Sequence, residues 1–133
     1  MKIEQLEVKN FKGFADKVIE FSPRFNMLVG DNGTGKTAVL DALAVGIGTL
    51  LLGFDDIVSR TIKNQEIRYI DRELGQITTF EPQYPVIVRC RGKINETETL
   101  TWERSLSKQG GKTSNKGAKS LIQYAEQMDN ALS

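Results

Sequence analysis

The stretch Gly30-Asp31-Asn32-Gly33-Thr34-Gly35-Lys36-Thr37 decides how this 133-residue sequence is interpreted. It fits the phosphate-binding pattern G-x-x-x-x-G-K-[ST] at every fixed position. Glycine lets the backbone curl so that successive N–H groups converge on phosphate oxygens, and the lysine brings a compact charge to the β and γ phosphates. The pattern therefore predicts a P-loop that binds the phosphates of a nucleoside triphosphate.

The segments on both sides of this P-loop have the character that phosphate binding requires. Phe25 to Val29 is a nearly unbroken apolar run, typical of a central strand covered on both faces. After the motif, apolar residues recur at helical spacing to about Leu52, and Gly53 is expected to stop the helix. The phosphates would then lie at a helix N-terminus, which favours anions. The alternative, a turn that only caps a helix, leaves Lys36 and Thr37 unexplained.

Separate roles follow for the residues of the motif. Lys36 is predicted to supply the catalytic charge, and Thr37 is predicted to bind Mg²⁺, which itself bridges the phosphates. The backbone N–H of Ala38 is expected to reach the α phosphate. ATP and Mg²⁺ are therefore the expected cofactors. The nucleotide-binding residues predicted from the motif are Gly33, Thr34, Gly35, Lys36, Thr37 and Ala38.

Composition limits the class of protein. With 39% apolar and 26% charged residues, the chain fits one ordinary domain or a large piece of one. The net charge of +1 supplies no global attraction to nucleic acid or to an anionic membrane. The single cysteine excludes an internal disulfide framework and favours a reducing cytoplasm, and the longest apolar stretch is broken by Gly46 and Gly48. We therefore expect a cytoplasmic protein without a membrane span.

Two strand pairs with alternating apolar and polar residues are predicted outside the motif. Their bounds are Lys2 to Val8 with Lys17 to Phe21, and Val86 to Arg91 with Thr97 to Glu103. The short segment Phe11-Lys12-Gly13-Phe14 connects the first pair. The second is predicted to be a β-hairpin with Trp102 on its inner face.

Three other segments have different characters. Residues 54–85 have no clear period and are predicted to be irregular, with a short helix near Ile67 to Glu73. The polar, Gly-rich run at about 108–117 predicts a flexible loop. A helix is predicted from about Lys119. Its apolar face carries Leu121, Ile122, Ala125, Met128 and Leu132.

The segment Ile3 to Phe14, the strand before Gly30 and the helix onset Ala38 to Leu43 together resemble the SMC/RecF/RecN type of ABC ATPase. This resemblance covers residues 1–52 well. Among its branches, the sequence is most similar to the large bacterial ATP-binding proteins of the OLD and Septu type, which are associated with defence against phage. That placement depends on a later pattern, namely Tyr84-Pro85-Val86, then Trp102-Glu103-Arg104, then a helix beginning near Ala118.

The resemblance implies an α/β P-loop NTPase fold, namely the first lobe of an ABC-type head with an antiparallel β region beside a mostly parallel core. Residues 1–133 would form a truncated N-terminal lobe, with the rest of the domain expected beyond Ser133. By resemblance, Lys12 and Asn32 also bind the nucleotide. The alternative for Lys12 is a solvated turn lysine, because basic residues are common in exposed turns.

Motifs that ABC-type hydrolysis needs are not found in this sequence. The apolar strand ending in Asp-Glu, the signature motif and the switch histidine are absent. Asp55-Asp56 follows Gly53-Phe54 rather than an apolar strand, so it is interpreted as the exit loop of a helix. We therefore expect these 133 residues alone to hydrolyse almost no ATP.

The leading functional hypothesis is ATP binding and hydrolysis in a head dimer, coupled to conformational change in nucleic-acid-directed anti-phage defence. The first alternative is a scaffold that binds ATP to regulate an effector such as a nuclease, with little turnover. The second is another P-loop class, such as a small-molecule kinase or a GTPase. No Asn/Thr-Lys-x-Asp guanine motif supports that class.

A local basic cluster lies around the predicted flexible loop and could contact the phosphates of DNA or RNA. Its members are Arg104, Lys108, Lys112, Lys116 and Lys119. The alternative is a solvated loop. That alternative is favoured because the run lacks aromatic residues on which bases could stack.

Overall fold

The computed structural model describes residues 1–22, 35–54 and 60–132. The predicted strand Phe25 to Val29 and the pair Asp55-Asp56 lie outside the described residues. In chain order, the described elements are β1 (Lys2–Phe11), β2 (Phe14–Glu20), α1 (Lys36–Gly48), β3 (Tyr69–Leu74), β4 (Ile77–Pro82), β5 (Val86–Lys93), β6 (Thr99–Leu106) and α2 (Lys119–Leu132). Short 3-10 helices lie at Thr49–Gly53, Asn64–Glu66 and Lys116–Ala118.

Four strands form one sheet in the order β2-β1-β5-β6, and every neighbouring pair is antiparallel. Along β5 and β6 the side chains alternate between buried and partly exposed, as expected when one face of a sheet packs against a core. Both predicted strand pairs are confirmed, with strands longer than predicted. The described part of the chain contributes only antiparallel pairs, so the parallel core implied by the resemblance stays a prediction.

Helix α1 packs against the buried face of this sheet. Ala42 and Val45 are fully buried. The indole N–H of Trp102 donates a hydrogen bond to the carbonyl oxygen of Gly46 over 2.8 Å, which confirms that Trp102 lies on the inner face. A Cβ on Gly46 would lie 2.3 Å from the Sγ of Cys90, so the helix approaches the sheet closely. Burial raises the pKa of the Cys90 thiol to about 12.

The helical stretch Lys36–Gly53 is long and apolar enough to cross a membrane by length and composition, with a mean hydropathy of 1.5 over 18 residues. A core helix of a soluble domain can be equally long and equally apolar. The buried residues of this stretch include Ala42, Val45 and Gly46, and they lie against the sheet. We therefore interpret it as a helix that packs one face on the sheet. Its end at Gly53 agrees with the prediction, although the last turns are 3-10 rather than α-helical.

Helix α2 packs against the end of this same stretch. Leu121 and Ala125 are fully buried. A Cβ on Gly53 would lie 2.4 Å from the Cβ of Ala125, which explains why a glycine stands at the contact. The predicted apolar face is buried only in its first half. In its second half, Met128 is 36% exposed and Leu132 is 79% exposed.

The prediction for residues 54–85 is wrong in its main part. Strands β3 and β4 form an antiparallel hairpin where a short helix near Ile67 to Glu73 was predicted. The two-residue loop between Leu74 and Ile77 begins with Gly75, whose φ of 65° suits the first position of a tight hairpin turn. All six residues of β3 are exposed. A strand without a buried face needs no apolar alternation, and so it gave no periodic signal.

The predicted flexible loop at about 108–117 is attached to the domain in its second half. The backbones of Ser105 and Ser114 exchange two hydrogen bonds, of 3.2 and 2.6 Å. The hydroxyl of Thr113 accepts a hydrogen bond from the backbone N–H of Ile62 over 3.1 Å. The flexibility of the loop stays a prediction.

Candidate nucleotide-binding site

The N-terminus of α1 is built on a glycine that no other residue could replace without strain. Gly35 has a φ of 92°, in the left-handed region. A Cβ at this position would lie only 2.7 Å from the ring of Phe14, which follows the turn between β1 and β2. Gly35 therefore joins the helix to the first strand pair at van der Waals distance.

The backbone N–H groups at the start of α1 are oriented as a phosphate site requires. The N–H of Val39 donates to the carbonyl oxygen of Gly35 over 2.9 Å, and this is the first bond of the helix. The N–H groups of residues 36–38 precede that bond and point along the helix axis, away from its body. No acidic residue stands in the first turn. This end of α1 therefore presents donors and a positive dipole end without a competing carboxylate in the turn.

Four of the predicted nucleotide-binding residues come together at this helix end. Lys36 and Thr37 have exposed side chains, whereas the side chain of Ala38 is 6% exposed and points into the core. Gly35 completes the group. Asn32, Gly33 and Thr34 lie outside the described residues, so their roles stay predictions.

The turn that carries Lys12 is attached to α1 and to the segment before β3. Lys12 has a φ of 50°, and its backbone N–H donates to the carbonyl oxygen of Glu66 over 2.6 Å. Its ammonium group donates to the carboxylate of Asp41 on α1. Asp41 lies one helical turn after Thr37. The structure thus brings Lys12 to the helix that begins with Lys36, and the side chain is neither fully solvated nor buried, at 28% exposed.

Two charged residues that the sequence did not single out complete this arrangement. The guanidinium of Arg60 donates through both terminal nitrogens to the carboxylate of Glu66, one of these bonds being 3.2 Å. It also lies 3.5 Å from an Asp41 carboxylate oxygen. Glu66 is 2% exposed, and a buried carboxylate requires such a partner. We call Lys12, Asp41, Arg60 and Glu66 the Asp41 cluster. No motif marks Arg60 and Glu66, since only the fold brings them to α1.

The basic residues predicted for nucleic-acid contact divide into two groups. Arg104 is 3% exposed and donates to the carbonyl oxygen of Arg60 over 2.6 Å, and burial lowers its pKa. Its inclusion in an exposed basic cluster was wrong, because inward-facing positions alternate along β6. The remaining members are exposed on the surface, and these are Lys108, Lys112, Lys116 and Lys119.

The outer face of the sheet carries cations that are already paired. Arg89 lies 3.0 Å from a carboxylate oxygen of Glu7 and donates from Nε to Glu103 over 2.9 Å. The hydrogen bond to Glu103 is the main reason that the pKa of Arg89 is raised. Arg91 lies 3.5 Å from a carboxylate oxygen of Glu20. A nucleic-acid phosphate would have to displace these carboxylates, so this face is a poor basic surface.

Comparisons with known proteins identify the family of this chain. A family model described as an AAA domain matches residues 5–132. The "DNA double-strand break repair Rad50 ATPase" of Thermococcus kodakarensis is 47% identical over 47 residues, which is 35% of this chain and 5% of that protein. The "DNA replication and repair protein RecF" of Porphyromonas gingivalis is 56% identical over 43 residues, which is 32% of this chain and 12% of that protein. The RecF of Marinobacter nauticus is 45% identical over 60 residues, which is 45% of this chain and 15% of that protein.

A solved structure from a study of ATP-driven dimerization and DNA-stimulated activation of SMC ATPases superimposes with a TM-score of 0.56. The match covers 96% of this chain and 80% of that one at 21% identity, so it bears on the fold alone. The predicted resemblance to SMC/RecF-type ATPases is confirmed. The placement in the OLD and Septu branch stays a prediction. The chain spans only 5%, 12% and 15% of the three curated relatives named above.

Proposed function

Since this chain belongs to the AAA domain family, we propose that it binds the triphosphate of ATP at the N-terminus of α1. One observation carries the proposal. The left-handed Gly35, packed against Phe14, starts a helix whose first two side chains, Lys36 and Thr37, are both exposed. Lysine, hydroxyl and free N–H groups at one helix end are the groups that phosphate and its metal ion require.

Each residue of this site has a distinct task. Lys36 places its ammonium on the β and γ phosphates and stabilises charge that develops there during transfer. The hydroxyl of Thr37 is suited to hold Mg²⁺, which would neutralise charge on the phosphates. The described residues include no group of three or more His, Cys, Asp or Glu side chains placed to hold a metal ion. We propose that Thr37 contributes the ligand of the Mg²⁺ from the described part of the chain.

For the whole protein, we propose ATP hydrolysis coupled to dimerisation of two heads, in nucleic-acid-directed defence against phage in the cytoplasm. The second head is proposed as partner by analogy with the solved chain of the same fold, which comes from a study of ATP-driven dimerization. The relatives named for DNA repair support DNA or RNA as a further partner. Because no acid that could position water was found in the sequence, these 133 residues alone should hydrolyse almost no ATP.

A second candidate function is a scaffold that binds ATP to regulate an effector such as a nuclease. Among the described residues, Asp41 is a carboxylate one helical turn after Thr37, and it is held by Lys12 and Arg60. That arrangement favours binding over hydrolysis. Sustained phosphate release by the whole protein would exclude the scaffold, and its absence under conditions of tight ATP binding would exclude the ATPase.

The decisive measurement is the affinity for Mg-ATP by titration calorimetry with the variant Lys36→Ala. A charged hydrogen bond to phosphate contributes about 1.5–3 kcal/mol, so the affinity should fall by about tenfold to about 100-fold. The matched control is Lys119→Ala, which removes an exposed lysine from the start of α2 and should leave the affinity unchanged. Equal binding by Lys36→Ala and the unaltered protein would refute the proposed site.

A further inference from the structure

The Asp41 cluster holds a lysine ammonium on α1, one helical turn after Thr37. Asp41 accepts a hydrogen bond from the ammonium of Lys12. Helical side chains tilt toward the helix N-terminus, so Asp41 leans back toward Thr37 and the proposed phosphates. Lys12 has a long flexible stem, and the carboxylate that holds it belongs to a residue one helical turn after Thr37, so its ammonium could move from carboxylate to phosphate. Both anions attract the same charge.

Arg60 determines what happens to Asp41 when Lys12 leaves. Its guanidinium lies 3.5 Å from Asp41 Oδ1 and donates to the Asp41 backbone carbonyl oxygen over 3.3 Å. Its position is fixed from the other side by the buried carboxylate of Glu66. Asp41 therefore keeps a cationic partner after the ammonium has moved. The departure of Lys12 does not leave an uncompensated charge, which would otherwise oppose the exchange.

We propose that Asp41 and Arg60 are positioning residues that set the nucleotide affinity through Lys12. In the empty site Asp41 holds the ammonium beside α1. On nucleotide binding the ammonium transfers to the phosphates, and Arg60 alone neutralises Asp41. This inference rests on the proposed nucleotide site, because it assigns the exchange of Lys12 to the arrival of phosphate at that site.

The exchange predicts effects of opposite sign for two members of one ion-pair cluster. In Asp41→Asn, the carboxylate no longer competes for Lys12 and no longer repels phosphate, so ATP should bind about two- to fivefold more tightly. In Arg60→Gln, Asp41 depends more on Lys12, so ATP should bind about two- to fivefold more weakly. A cluster that only maintained the fold would weaken binding in both variants.

Arg60→Gln also removes the partner of the buried Glu66, so a second variant protects the test from loss of folding. The double substitution Arg60→Gln with Glu66→Gln removes the buried charge and its partner together. It should bind ATP as weakly as Arg60→Gln alone. Lys12→Ala supplies the coupling control, since Asp41→Asn should then tighten binding less than it does with Lys12 present.

Mg-ATP titration of these variants distinguishes failure of the exchange from failure of the nucleotide site. Should binding depend on Lys36 while Asp41→Asn leaves the affinity unchanged or weakens it, the exchange is overturned and the nucleotide site stands. Should binding be independent of Lys36 or absent, the nucleotide site and the exchange are both overturned. Tighter binding by Asp41→Asn that persists in full with Lys12→Ala would show that Asp41 repels phosphate directly, and it would also overturn the exchange.

Discussion

The hairpins β3–β4 and β5–β6 are built alike and buried differently. Both are antiparallel pairs with complete cross-strand register. One face of β5–β6 packs under α1, and its Trp102 is 1% exposed. In β3–β4, Phe80 and Ile77 are each 66% exposed. Turn chemistry and backbone hydrogen bonds suffice to define β3–β4, whereas β5–β6 also carries the apolar contacts that stabilise the domain.

The largest difference between the hairpins should appear when an aromatic residue is truncated in each. Trp102→Ala removes a fully buried ring and the bond to Gly46, so the free energy of unfolding should fall by about 3–5 kcal/mol. Phe80→Ala is its matched control and should change it by less than about 0.5 kcal/mol. Urea denaturation followed by circular dichroism measures both. Equal losses would show that β3–β4 is also buried against a partner surface.

A smaller effect is expected from crowding between the neighbouring inner strands β5 and β1. A Cβ on Gly92 would lie 2.6 Å from the backbone carbonyl oxygen of Lys2, and backbone moves less readily than a side chain. Gly92→Ala should therefore lower the free energy of unfolding by about 1–3 kcal/mol. The fluorescence of Trp102, the single tryptophan, reports unfolding. The control is Gly13→Ala, where no atom lies within 4 Å of the added Cβ, and indistinguishable variants would contradict the close approach.

The smallest effect should come from the turn of the exposed hairpin. Gly75 has a φ of 65° and no neighbour within 4 Å of a Cβ, so the strain of Gly75→Ala is confined to its backbone. That strain is about 1–2 kcal/mol. Hydrogen exchange should show faster exchange in β3–β4 and unchanged protection in β5–β6. Loss of protection in β5–β6 as well would mean that the two hairpins unfold as one unit.

The contrast also explains how much could be predicted from sequence. The pairs β1–β2 and β5–β6 were predictable because burial of one face imposes alternation on residues such as Val86, Val88 and Cys90. Helix α1 was predictable from its apolar spacing and from Gly53. The exposed hairpin β3–β4 was not, since its apolar residues lie on both faces, and the turn at Gly75 was the one local signal available.

The candidate site also has one part that the sequence predicts and another that it does not. Gly35, Lys36 and Thr37 are contiguous and form a motif whose chemistry can be read along the chain. The partners of Lys12 are separated from it by tens of residues, and their contact depends on the packing of α1 and of the segment before β3. A charged residue such as Glu66 resembles any surface residue in sequence. Its burial is a property of the tertiary fold alone.

The burial of Cys90 has a practical consequence for spectroscopy. This residue is the only cysteine in the chain, it is 1% exposed, and its pKa of about 12 leaves almost no thiolate at neutral pH. A cysteine introduced on the exposed β3–β4 hairpin would thus be the one thiol that a maleimide dye modifies in the folded protein. A single fluorophore or spin label can therefore be attached without first removing the native cysteine.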